Sequence, residues 1–464
     1  MLLLAVATRV WLLWVTRNQP VWWDEAEYLL KARSIAQGTP DTGYFSGHPI
    51  VMSLWLSGFF ALGWGETAMR VALSLASIAT IAVTHDVGRR LFGVREATVA
   101  ALLMTMFYVP AFYAARLMTE IPHLLFCLLG VDLYLANTRR SVWLVGPVLA
   151  VAALLRFPAA LMFLAVGIHA VFARRHEQKV LWLSGVLAVV VVAPYLLWSA
   201  HRYGDALHAW RSSAFIMPRL AFGARLGGLG QYLSWMGASL GIPLTVALVL
   251  GVLRPLAAFV GPSTSVGRAN SMSTAAILAA AWLAVPLLYF GLSVRPILDR
   301  YVILVLPPVF LLIARGLTWA FALAPQRWGR GTEFAALALV LAAALALARD
   351  AERAVRDKLT SFAELRDAGN WVKQHAIADA VLVTTSPPQL TYYAERATYA
   401  VPDDATAFAR LRAEHQPRYL IVSRYQETPA WLGAADLNAL GARVVATFPD
   451  TRPYATVLEL ALRP

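Results

Sequence analysis

What most limits the folds open to this chain is the recurrence of long apolar runs, separated by short segments that carry its charges. A run of about 17–25 apolar residues is long enough to cross the hydrocarbon core of a bilayer as a helix. The chain has 464 residues, 59% hydrophobic and only 14% charged, whereas a soluble domain carries charge on about a quarter of its residues. The fold class expected is an α-helical polytopic membrane protein. Net charge is +13, which in a soluble protein points to nucleic acid. Much of that excess is Arg at the ends of apolar runs, where it sets topology, so no nucleic-acid partner is expected. The single cysteine, Cys127, lies inside an apolar run, which rules out a disulfide or Cys-based metal site within one chain.

The first run, residues 2–15, contains Arg9 and has no small-residue cleavage site after it; it reads as a retained span rather than a removed signal peptide. A long polar and amphipathic stretch follows over 17–67. It is helical in pattern over 24–36 and broken at Gly38-Thr39-Pro40-Asp41. Residues 49–62 are apolar but run for only about 14 positions, which suits an interfacial or re-entrant helix.

The basic loops decide how that segment is placed. These are Arg89-Arg90-Leu91-Phe92-Gly93-Val94-Arg95, Arg139-Arg140, Arg174-Arg175-His176-Glu177-Gln178-Lys179 and Arg327-Trp328-Gly329-Arg330. All four fall on the cytoplasmic side if 49–62 lies in the interface, as the positive-inside rule prefers. Further spans are then expected near 68–87, 97–114, 121–136, 142–155, 157–172, 180–199, 232–253, 274–292, 301–323 and 333–348. With the first they make about eleven. The N-terminus then lies in the cytoplasm, and the loops at 17–67, 116–120, 156, 200–231 and 293–300 meet the extracytoplasmic face of the plasma membrane. The 200–231 loop carries Arg202, Arg211, Arg219 and Arg225 against Asp205 alone. Basic residues there oppose the topology rule, so an anionic partner is expected on that face.

Beyond residue 348 the composition changes. Residues 362–375 and 405–414 have helical patterns, and 380–384, 419–423, 443–448 and 455–460 read as strands. The expected organisation is a transmembrane domain over 1–348 and a small extracytoplasmic α/β domain over 349–464. The second domain has no Gly-rich phosphate loop and reads as a cap or acceptor platform.

The chemistry starts with the island Trp22-Trp23-Asp24-Glu25-Ala26-Glu27-Tyr28, which holds three carboxylates within four positions directly after the first span. Acids beside a hydrocarbon layer are costly and mark functional sites. Trp22 and Trp23 would anchor the helix start at headgroup level. Asp24, Glu27, Tyr28 and Lys31 share one helix face and Glu25 points about 100° away. Glu27 and Lys31 suit a structural ion pair, while Asp24 and Glu25 sit where the helix dipole tolerates acids. A carboxylate held there could take a proton from an acceptor hydroxyl. His48, in Ser46-Gly47-His48-Pro49, precedes the interfacial helix and could bind a phosphate oxygen. In Arg116-Leu117-Met118-Thr119-Glu120-Ile121-Pro122, Thr119 reads as an N-cap with Pro122 in the first turn, and Glu120 either serves the helix dipole or works with the nearby Arg116. Arg156 interrupts an apolar stretch beside Pro158. Arg295 and Asp299-Arg300-Tyr301 open another span ahead of Pro307-Pro308, where Arg300 either snorkels or binds an anion.

Taken in order, several of these motifs resemble one family. They are the Asp-Glu-x-x-Tyr pattern from Asp24 to Tyr28, His48-Pro49-Ile50, Glu66-Thr67-Ala68-Met69-Arg70, Arg89 to Gly93, Thr119-Glu120-x-Pro122, and Arg300-Tyr301 ahead of Pro307-Pro308. Over roughly residues 1–348 the chain is similar to the GT-C glycosyltransferases of the protein mannosyltransferase and lipid A aminoarabinose transferase branch. The resemblance implies the GT-C fold and transfer of a sugar, with inversion, from a polyprenyl-phosphate donor lipid to a glycan, lipid or protein acceptor on the outer face. It maps the first-loop catalytic acid onto Asp24, with Glu25 beside it, and the second-loop acid onto Glu120. The residue that contacts the carrier phosphate maps onto His48, and Arg300-Tyr301 matches the Arg-Tyr before a late span. Arg116 is a further candidate for the donor phosphate. The family's metal-ligating Glu maps onto Gly47; no cofactor is certain, and a divalent metal stays open. The alternative from another class is a lipid or lipid-linked-sugar transporter or flippase. It would favour paired half-helices and charges deep in the membrane, whereas the acids here cluster at one face.

Overall fold

The computed structural model describes residues 1–39, 42–43, 47–173, 178–213, 217–218, 220–260, 266–323, 329–433, 440–449 and 454–461. Of the residues named above, Pro40, Asp41, Ser46, Arg174, Arg175, His176, Glu177, Arg219, Arg327 and Trp328 lie outside them. Helices follow in the order α1 (Leu2–Thr16), α2 (Trp23–Gln37), α3 (Val51–Ala61), α4 (Glu66–Leu91), α5 (Val94–Met106), α6 (Tyr108–Tyr113), α7 (Glu120–Ala136), α8 (Arg139–Leu155), α9 (Ala160–Ala173), α10 (Gln178–Tyr203), α11 (His208–Ser212), α12 (Phe222–Val260), α13 (Val266–Ser293), α14 (Leu306–Ala322) and α15 (Arg330–Arg356). The chain divides into two compact units. One comprises Met1–Val15, Ser46–Met52 and Gly65–Arg356, and the other Thr16–Phe45, Ser53–Trp64 and Asp357–Pro464.

The first unit is helical, and each stretch expected to span carries a helix. Among the described residues six helices are long and apolar enough to cross a membrane, namely α4, α10, α12, α13, the segment Asp299–Ala322 and α15. Helices α1, α7, α8 and α9 have 15, 17, 17 and 14 residues, below the ~20 that a perpendicular crossing needs. Close backbone approach holds the bundle together. Helices α12 and α14 pack together, and a Cβ added at Gly251 or Gly316 would run into the carbonyls of Leu312 and Ala247. Small residues in a helix interface permit this proximity in a membrane, where packing rather than water drives association. Helix α14 is buried at every position from Leu306 to Leu317, so the segment opened by Asp299-Arg300-Tyr301 leads into the most enclosed part of the unit.

The second unit contains α16 (Ala363–His375), β1 (Leu382–Thr384), α17 (Pro387–Ala394), β2 (Thr398–Ala400), α18 (Ala405–His415), β3 (Tyr419–Ser423), α19 (Ala430–Gly433), β4 (Ala442–Phe448) and β5 (Ala455–Leu460). The sheet order is β2-β1-β3-β5-β4, with β1, β2 and β3 parallel and β5 antiparallel to both neighbours. Alternate residues of a strand face opposite sides. Leu382, Ile421 and Val457 therefore join Leu365 and Leu390 of α16 and α17. Val383, Leu420 and Leu458 join Phe408 and Leu432 on the other side. Helix α2 of the first loop belongs to this unit and packs on α17. Its neighbour α3 is tied to it by a 3.1 Å hydrogen bond from Ser53 Oγ to the Tyr28 carbonyl.

Candidate active site residues

The acidic island forms the first turn of α2. Trp22 stands at the N-cap in an extended conformation, and Gly38 ends the helix in the left-handed region at φ 66°, a conformation glycine adopts without a Cβ penalty. The Glu25 carboxylate turns back to accept the Trp22 backbone N–H at 2.8 Å, the acid half of a capping box. Trp23 Nε1 donates to Glu27 Oε1 at 3.0 Å. Glu25 and Glu27 are buried, whereas Asp24 is half-exposed. Three carboxylates that looked equivalent in sequence thus occupy different environments.

Further along the same helix, the Arg33 guanidinium lies 4.4 Å from the Tyr392 ring centroid and 3.5 Å from Glu395, which also meets Lys373 at 2.8 Å. The hydrogen bond from Lys373, with the positive charges around it, holds the Glu395 carboxyl below its ordinary range.

In the first unit, Glu120 opens α7 and is 1% exposed. Thr119 is the N-cap residue, as the sequence predicts, but its hydroxyl makes no cap bond. Glu120 is paired instead with Arg156, which donates to Oε1, and with Arg300, whose Nε is 3.4 Å from the same oxygen. Arg156 reaches it because α8 stops at Leu155. Arg156 is extended at φ −153° and separates α8 from the short 3-10 turn Phe157–Ala159. Arg300 comes from the opening of the turn Asp299–Val305. Both guanidinium carbons lie 5.8 Å from the Tyr301 ring centroid, and Tyr301 stacks on Phe290 with centroids 5.6 Å apart. Nearby, the Tyr108 hydroxyl accepts a 2.8 Å hydrogen bond from Trp235 Nε1. Two cations therefore face one buried carboxylate across an aromatic ring.

Of the two readings of Glu120, as a helix-dipole acid or as a partner of Arg116, its position at the start of α7 fits the first, while its ion-pair partners are Arg156 and Arg300. Arg116 is 2% exposed with its guanidinium 5.0 Å from the Phe112 ring centroid. The corner that carries it is fastened by Arg70, which donates to the Ala115 carbonyl at 2.7 Å and pairs with Glu66 at 3.3 Å; this gives the Glu66-to-Arg70 motif a structural role. His48 is half-buried, and the carbonyl of Gly47 before it accepts from Ser213 Oγ at 2.9 Å. Arg156 is missing from the sequence-derived site although its signal was visible, as an arginine interrupting an apolar stretch next to a proline. In the basic 200–231 loop, Arg211 pairs with Asp205 at 3.2 Å.

Comparison with known proteins bears on this arrangement. Residues 47–198 match the family model described as dolichyl-phosphate-mannose-protein mannosyltransferase. No curated protein matches the sequence. Among solved structures, the chain is similar to ArnT from Cupriavidus metallidurans bound to undecaprenyl phosphate. The TM-score is 0.71 at 16% identity, covering 98% of this chain and 97% of that one. It is also similar to the oligosaccharyltransferase of Archaeoglobus fulgidus, with a TM-score of 0.60 at 14% identity, covering 90% of this chain and 68% of that one. The same archaeal enzyme, AglB, in complex with an inhibitory peptide and a dolichol phosphate, gives a TM-score of 0.57 at 12% identity over 90% of this chain and 69% of that one.

The fold is that of the GT-C membrane glycosyltransferases. With the family-model match, it points to glycosyltransferase activity of the GT-C type.

Proposed function

We propose that this chain transfers a sugar from a polyprenyl-phosphate-linked donor to an acceptor hydroxyl on the extracytoplasmic face, with inversion at the anomeric carbon. The observation that carries the reading is the Glu120 cluster, where Arg156 and Arg300 face one buried carboxylate. The lipid phosphate leaves as an anion, and pre-placed cations stabilise charge that develops in the transition state. Because phosphate is already a good leaving group, a single base suffices where glycosidases normally use an acid and a base.

Asp24 is that base. It is the half-exposed member of the three-acid island, and the capping bond of Glu25 favours Asp24 over its neighbour. Asp24 takes the acceptor proton as the hydroxyl oxygen attacks the anomeric carbon in line, and the bond to the phosphate oxygen breaks. Glu25 supports the helix start on which Asp24 stands. Arg300, with Arg116 and His48, neutralises the departing phosphate, while Tyr301 carries the guanidiniums of Arg156 and Arg300 on its ring. Glu120 orients Arg156 and Arg300. The distribution of basic loops supports a cytoplasmic N-terminus, about eleven crossings and an extracytoplasmic C-terminal domain.

The test is Asp24→Asn, which keeps the side chain's size and removes its basicity. Sugar transfer is lost while the protein folds and binds the carrier lipid; transfer at near wild-type rate would refute the assignment of the base.

A further inference from the structure

The residues just before Asp24 are held by the C-terminal domain through their main chain. Val21 is fully buried, and both of its backbone polar groups are taken by α17. Its N–H donates to Tyr393 Oη at 2.6 Å. Its carbonyl accepts from Gln389 Nε2 at 2.8 Å. Gln389 is itself fixed, since Ser386 Oγ donates to its Oε1 at 2.6 Å and it is 0% exposed. Two further contacts come from α16 and the residue before it. Arg366 donates to the Asn18 carbonyl at 3.0 Å, and Trp22 meets Phe362 edge-to-face with centroids 5.7 Å apart. At the other end of α2, Arg33 is held by Glu395 and Tyr392. Helix α2 is thus gripped at both ends by the same face of one α/β domain.

We propose that Gln389 and Tyr393 are positioning residues: α17 clamps Val21 and so fixes the first turn of α2, three residues on, where Asp24 stands. This rests on the reading of Asp24 as base. Main-chain recognition explains why the link is invisible in the first loop's own sequence, because a carbonyl and an N–H are present for every residue type but proline at position 21. It also changes the job of the C-terminal domain. A cap or acceptor platform would act through the acceptor and alter KM, whereas a clamp on the base acts on kcat, since a displacement of about 1 Å in a reacting group can cost up to 100-fold in rate.

The experiment compares Tyr393→Phe and Gln389→Leu in the full-length protein. Each removes one bond to Val21 and leaves its buried polar group unsatisfied. Trp431→Phe serves as a control; it deletes the 2.8 Å bond from Trp431 Nε1 to the Pro402 carbonyl on the opposite face of the sheet. Hydrogen exchange of the Val21 amide is read alongside kcat and KM, both for a polyprenyl-phosphate-sugar donor and for an envelope extract as acceptor source. Expected results are faster Val21 exchange, a fall in kcat of about tenfold with KM for donor and acceptor both within twofold, and an unchanged kcat in Trp431→Phe. Loosened Val21 exchange with kcat within twofold of wild type would overturn the clamp, as would an equal loss in Trp431→Phe. If Asp24→Asn is inactive while Tyr393→Phe and Gln389→Leu turn over normally, the clamp alone fails. If Asp24→Asn is active, the base assignment fails and the positioning claim falls with it.

Discussion

Replacing Arg156 by Met leaves the Glu120 carboxylate, 1% exposed, facing Arg300 alone at 3.4 Å. Removing one partner of a buried ion pair costs about 3–5 kcal/mol, because the remaining charge stays desolvated. With one guanidinium still in place, the low end applies, about 3 kcal/mol. Glu120→Gln works in the other direction. It leaves two arginines whose side chains are 14% and 23% exposed and retain contact with water, so the cost is about 1–2 kcal/mol. The double variant carries no stranded carboxylate and should be more stable than Arg156→Met by about 1–2 kcal/mol. Unfolding of the purified protein by SDS, followed by far-UV circular dichroism, gives the four stabilities of the cycle. A double variant as unstable as the sum of the singles would refute the claim that Arg156 compensates Glu120. So would an Arg156→Met protein within about 0.5 kcal/mol of wild type.

Three other outcomes follow from the geometry. Gly316→Leu drives a side chain into the Ala247 carbonyl and should cost at least about 1–3 kcal/mol, seen as loss of folded protein on size-exclusion chromatography. Burial raises the Glu364 carboxyl above its ordinary value, so the folded state binds its proton more tightly and stability falls as pH rises through that raised value. Glu364→Gln should therefore melt above wild type near neutral pH and match it in acid, and the opposite order would contradict this. The lowered Glu395 carboxyl contributes stability above its unfolded pKa that is lost as pH falls through the folded one. Its ion-pair side chains are almost half-exposed, so Glu395→Gln should cost only about 0.5 kcal/mol near neutral pH and nothing in acid.

Much of this architecture was legible in the sequence because hydrophobic length and period survive in any environment. The apolar runs locate the helices, and strands β1, β3, β4 and β5 fall where alternation and β-branched residues predict them. Helix α17 and strand β2 escaped notice. Pro387-Pro388 reads as a break, yet proline at the first helical positions starts a helix, and an eight-residue helix buried nearly throughout has no polar face to betray its period. Strand β2 has three residues, too few to alternate. At the site, Glu120, Arg300 and Tyr301 were readable from motifs, and they do come together. Arg156 was noticed but not connected to Glu120, because an ion pair across 36 positions leaves no local trace. The role of Glu25 as a capping-box acid was concealed because Trp22, an unusual N-cap, hides the motif.

The most direct test of the central claim is discharge of a defined donor by the purified protein in detergent, without vesicles. A polyprenyl-phosphate-linked sugar, labelled in the sugar, is incubated with enzyme and an envelope extract as acceptor source, and lipid and product are separated and followed by mass spectrometry. The account predicts that the carrier returns as free polyprenyl phosphate while the sugar appears on an acceptor oxygen with inverted anomeric configuration, and that Asp24→Asn yields neither. A donor that stays intact in detergent, yet is moved across the bilayer when the protein is placed in vesicles, would identify a transporter and contradict the account.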